Sequence, residues 1–170
     1  MVDDAGGLLG IVSQNDLFAL QRTGLNDVTG NIREAKDLAA LQACSKDIRS
    51  MADTMLGQGV AADQLTHLIS TLNDLLTLRI IELTHDEFDL PQVKWCWVAL
   101  GSEGRYEQTL STDQDNGIVF ASDDAARDRT AWLAFAHEVN AELDACGYPL
   151  CKGNIMASNP ECCLTVDEWR

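Results

Sequence analysis

Basic residues are what this chain has least of: 12 Lys and Arg against 27 Asp and Glu, a formal net charge of −15. A nucleic-acid-binding surface needs a basic patch, so that class is excluded. No apolar run approaches the length that crosses a membrane, and the N-terminus lacks the basic start of a signal peptide. A cytoplasmic location follows. No Gly-Lys-Ser or Gly-Lys-Thr occurs, which removes the Walker-type phosphate loop. The six cysteines include no Cys-x-x-Cys pair and no neighbouring His. Cys44 and Cys96 therefore read as small core residues, and the run from Cys146 to Cys163 as neither zinc site nor disulfide framework.

What remains is 170 residues, 46% apolar and 23% charged, enough for one ordinary domain and a helical appendage. The informative stretch is Lys94–Phe120, KWCWVALGSEGRYEQTLSTDQDNGIVF. Trp95 to Leu100 reads as a buried strand, closed by a turn at Gly101-Ser102. Ile118 to Phe120 is a second apolar run. Strand side chains alternate, so Asp113 and Asp115 are expected on one side, with no Lys or Arg between them to relieve their repulsion. Such a pair suits a divalent cation. Hard oxygen ligands favour Mg²⁺ (or Mn²⁺) over Zn²⁺, with the shell completed by water and substrate phosphates. Gly101 allows backbone to approach a phosphate, and Arg105 offers a positive fork for its oxygens.

Gly-Ser-x-Gly-Arg-x-Glu followed by Asp-x-Asp resembles the signature of the DNA polymerase β-like nucleotidyltransferases, nearest the branch that uridylylates the PII signalling protein. Gly101, Ser102, Gly104, Arg105, Glu107, Asp113 and Asp115 fall on that motif in register. The wording LGSEGRYEQTLSTDQDN also resembles nucleotidyltransferase domains of bacterial signalling proteins, found beside cyclic-nucleotide-binding and CBS modules. The resemblance implies an α+β fold with a small mixed sheet. It further implies an NTP substrate bound through Gly101, Ser102, Gly104, Arg105 and Glu107, catalytic aspartates 113 and 115 on the metal, and a regulatory protein as acceptor. The family pattern departs in two places. The strand expected to supply a third carboxylate reads LCKGNIMAS, with Asn154 nearest the position. Gln114 also replaces the usual apolar residue between the aspartates.

Around this core, residues 1–23 resemble the tail of a CBS module: a strand at Leu8–Val12, then a helix over Asp16–Gln21 capped by Ser13 or Asn15. An ordinary hairpin and helix is the alternative. Such a tail implies an excerpt of a longer protein. Gly24–Gly30 reads as a polar linker. Within residues 24–90 the apolar spacing predicts a long antiparallel helical hairpin, with helices over Asn31–Leu56 (Asn31 capping) and Ala62–Glu87. It packs on the core or forms a homodimer interface, a role the CBS module could share. Residues 91–170 form the nucleotidyltransferase core. It continues with a helix from Ser122-Asp123-Asp124 to Cys146, a third strand over Leu150–Ala157 and a new helix opening at Glu168. Three functions fit this reading: nucleotidyl transfer, nucleotide sensing without transfer, or a structural role for the hairpin.

Overall fold

The computed structural model describes residues 14–109 and 112–170. Among the described residues, five α-helices and a small mixed sheet make an α+β fold. Helix α1 runs over Gln14–Glu34, α2 over Leu38–Gly57 and α3 over Ala62–His85. Strand β1 is Trp95–Ala99, α4 is the single turn Gly101–Gly104, β2 is Asn116–Phe120, α5 is Ala125–Ala145 and β3 is Cys163–Thr165. β2 is central, antiparallel to β1 (Trp97 opposite Ile118) and parallel to β3 (Ile118 opposite Cys163).

The N-terminal helices depart from the sequence reading. The expected linker Gly24–Gly30 is helical, because Leu25, Val28, Ile32 and Ala35 repeat at three- and four-residue steps and pack on the core. Each mid-helix glycine costs about 1 kcal/mol, which that burial outweighs. The helix expected over Asn31–Leu56 is broken instead at residues 35–37. There Asp37 accepts from the Ala40 amide (2.8 Å) and caps α2, so Asn31 lies inside α1 and caps nothing. Arg79 of α3 closes the break by donating to the Ala35 carbonyl (2.9 Å). Asn15 also lies within α1, whereas Ser13 and the Leu8–Val12 strand fall outside the described residues.

α2 and α3 are joined by residues 58–61 and pack together, with Ala52, Met55, Leu65 and Ile69 gathered near that connection. α3 is buried on more than one side, though Leu78 is exposed. Its polar line Ser70, Asn73 and Thr77 is buried too, and faces the loops that follow β1. Trp132, Phe135 and Val139 of α5 form the centre of the core with Ile118 and Phe120. Asp124 caps α5 as its position suggests, accepting from the Arg127 amide.

Two C-terminal expectations fail. Residues 150–157 form turns, not a strand, because Asn154 takes a left-handed conformation (φ +57°) beside Lys152-Gly153. The segment still braces β2 through the Ile155 carbonyl, which accepts from the Asn116 amide (3.1 Å). The third strand forms at Cys163–Thr165. Residues 166–169 are a turn, not a helix start. Glu168 folds back to accept from the amide and hydroxyl of Thr165 and from Arg129.

Candidate functional site

β1 ends where Leu100 donates to the Asp115 carbonyl (2.8 Å). The chain then reverses through Gly101 at φ +53°, a conformation that favours glycine. Space demands glycine as well: a Cβ there would lie 2.2 Å from Asp115 Oδ2. The bend and the aspartate carboxylate are in direct contact. At Gly104 a Cβ would meet the Ala99 carbonyl at 2.6 Å, so the single turn of α4 can pack against β1 only without a side chain. Arg105 and Glu107 follow on the surface, joined through Arg105 Nε (2.8 Å). Ser102 is half-buried, and its carbonyl accepts from the Glu107 amide (2.9 Å), closing the turn.

β2 begins at Asn116, so both aspartates stand in the lead-in to the strand rather than within it. Burial alternates along that lead-in: Asp113 exposed, Gln114 buried, Asp115 half-buried, Asn116 buried. The unusual Gln114 explains why. Its Nε2 donates to the carbonyls of Asn140 (3.0 Å) and Tyr148 (2.7 Å), and its Oε1 accepts from Asn140 Nδ2 (2.7 Å). Asn140 also donates to Asn116 Oδ1 and accepts from the Ser158 amide. Asn116 in turn accepts from the Ala157 amide. An apolar residue at 114 would leave these buried partners unsatisfied, at about 1–3 kcal/mol each. The amides are held inward, which turns the two aspartates away from the core.

A second pair of carboxylates, not foreseen from sequence, meets this arrangement. Glu103 is only 8% exposed. Burial, then the charges of Asp74 and Asp115, push its carboxyl up to about 7, with the Asp115 backbone amide pulling the other way. Asp74 on α3 is also raised by burial, against a hydrogen bond from the Tyr106 hydroxyl. Asp74 was legible in principle: Ser70, Asn73, Asp74 and Thr77 place polar groups at helical spacing within an apolar stripe. Glu103 was not, since a single-turn helix has no periodicity to betray its inward side.

Glu103 and Asp113 line a small cavity of about 10 Å³ with Asn73, Gln108 and Tyr148, space for a water and no more. A nucleotide is far too large for it. Cys151 also reaches the site, its thiol 3.4 Å from Asp115 Oδ1. Asn154, nearest the expected third-carboxylate position, is exposed in its turn.

Among the described residues, no group of three or more His, Cys, Asp or Glu side chains is placed to hold a metal ion. The donor chemistry nevertheless suits a hard cation. Asp113 is exposed and Asp115 half-buried, and their carboxylate oxygens are the donors Mg²⁺ prefers when waters and phosphates fill its remaining positions. Burial, and after it the charges of Asp74 and Asp115, disfavour the charged form of Glu103, and a cation nearby would act in the opposite direction.

The family described as putative nucleotidyltransferase DUF294 matches residues 46–170. The chain belongs to this family. The match begins inside α2 and takes in α3, the whole sheet, the Gly101 bend and both aspartates. No curated protein and no solved structure gives a significant match. Among the described residues, no helix of this DUF294 member is long and apolar enough to cross a membrane.

Proposed function

We propose that this DUF294 domain is a Mg²⁺- or Mn²⁺-dependent nucleotidyltransferase that moves a nucleoside monophosphate from an NTP to an acceptor. The observation that carries this reading is the contact of Asp115 with the Gly101 bend, which supports a metal-bound triphosphate held between them. Asp113 and Asp115 hold the cation, which when bound would neutralise the triphosphate and orient it. Gly101 and Ser102 cradle the phosphates with backbone amides, since the first amides of a helix have no intrahelical acceptor. Gly104 keeps the turn tight. Arg105 offsets phosphate charge, held in place by Glu107. The acceptor oxygen bonds to the α-phosphorus, the bond to the bridging oxygen breaks, and pyrophosphate leaves. Such transfer rests mainly on positioning and charge neutralisation.

By the motif's resemblance to the PII-uridylyltransferase branch, the acceptor is a regulatory protein, and the domain serves bacterial signal transduction in the cytoplasm beside a CBS module. Calorimetry of Mg²⁺–NTP binding, coupled to a pyrophosphate assay, tests the reading. Asp113→Asn and Asp115→Asn should each abolish binding or turnover. Unchanged affinity and rate in both would remove it.

One observation favours a second reading, a nucleotide sensor without transfer. The segment expected to supply a third carboxylate is a turn carrying Asn154, so the acceptor hydroxyl lacks that ligand set. Saturable Mg²⁺–NTP binding without pyrophosphate release, with candidate acceptor proteins present, would select the sensor.

A further inference from the structure

Tyr106 follows Arg105 in the turn proposed to receive the triphosphate, and its backbone is held at φ +57°. Left-handed backbone costs a non-glycine residue roughly 1–2 kcal/mol. The turn enforces it from both sides: the Tyr106 amide donates to the Glu103 carbonyl (3.1 Å), and the Glu107 amide to that of Ser102 (2.9 Å). Core packing does not account for a large ring in this position, since Tyr106 is 47% exposed. The ring nonetheless has a neighbour: it lies 5.4 Å, centroid to centroid, from the His67 ring of α3 at a 34° tilt. His67, also exposed, takes no part in the chemistry derived above.

A flat aromatic surface, flanked by the His67 ring and open to solvent, sits one residue past the arginine that would meet the phosphates. Every nucleobase has a π-face that such a surface can hold. We infer that Tyr106, backed by His67, is the platform on which the base of the NTP stacks. This rests on the nucleotidyltransferase reading and deepens it by assigning the substrate class. Stacking grows with overlapped ring area, and neither ring reads base edges through hydrogen bonds. The site therefore takes purine NTPs ahead of pyrimidine NTPs, with little discrimination between adenine and guanine. That differs from the uridylyl donor of the branch the motif resembles.

The test is calorimetry on the full chain with the Mg²⁺ complexes of ATP, GTP, UTP, CTP and tripolyphosphate. Tyr106→Asn removes the ring while keeping a residue that tolerates positive φ, and thermal melting checks its fold. It should weaken ATP and GTP roughly ten-fold while leaving tripolyphosphate unchanged. Tyr106→Phe, which keeps the ring and loses only the hydroxyl, should bind like the parent. His67→Ala, an exposed change, should weaken ATP less than Tyr106→Asn does. ATP affinity unmoved by both Tyr106→Asn and His67→Ala, equal loss of ATP and tripolyphosphate, or pyrimidines bound ahead of purines would overturn the platform and leave the phosphate site standing. Failure of the parent chain to bind tripolyphosphate or any NTP would overturn both.

Discussion

The lead-in to β2 has two sides of opposite character. On the inner side, Gln114, Asn116 and Asn140 form a neutral amide network joined by hydrogen bonds of 2.7–3.0 Å. On the outer side, Glu103 is buried beside Asp74 and Asp115, and burial together with those two charges raises its proton affinity. Residues alternating along one short segment feed both. The inner side is satisfied by the protein itself and fixes geometry. The outer side is left with charge that only a cation or a proton can relieve, which is the condition expected of a binding site rather than of a scaffold.

Breaking the inner side should have the largest effect on folding. Asn140→Ala removes the hub and strands partners at Gln114, Asn116 and Ser158, so a loss of about 3 kcal/mol is expected in urea unfolding. A loss under about 1 kcal/mol would mean that water replaces the hub.

On the outer side the sign reverses. The Glu103 carboxyl is raised from 4.5 to about 7 by folding, so the folded state holds its proton more tightly than the unfolded chain. Its contribution is fully present below about pH 4.5 and is lost as pH rises through about 7. Glu103→Gln should therefore stabilise the metal-free protein at pH 8 by up to about 3 kcal/mol and change little at pH 4. Equal effects at both pH values would show that Glu103 is not buried among carboxylates.

The same comparison explains what could be read in advance. On the outer side Glu103 carried no signal, but the Gly101 bend and Asp115 were legible, because they fall in a recognisable run between two apolar strands. The inner side was not. Gln114 looked like a departure from pattern, and only its three side-chain hydrogen bonds, to Asn140 of α5 and to Tyr148, reveal it as the residue that aims the aspartates. Elsewhere, local signals lost to tertiary ones. Gly24 and Gly30 suggested a linker, but burial of Val28 and Ile32 made a helix. Residues 150–157 looked apolar enough for a strand, yet Gly153 and the left-handed Asn154 turned them, and Cys163–Thr165 took the place beside β2.

Smaller effects sharpen the boundary between the two sides. Gly101→Ala forces a side chain into positive φ and against Asp115, so it should cost about 1–2 kcal/mol and displace that carboxylate. Mg²⁺–NTP affinity should fall further than that stability loss explains, as calorimetry beside melting would show. Away from both sides, Asp37→Ala removes the α2 cap and should cost about 1 kcal/mol without altering nucleotide binding.

The most direct trial of the account is titration of Mg²⁺–ATP into the parent chain and into Asp115→Asn, a change that keeps size and removes charge. Saturable binding by the parent and none by the variant is expected, with both equally folded. Equal binding by the two proteins would contradict it, because the carboxylate touching the Gly101 bend would then have no part in holding the nucleotide.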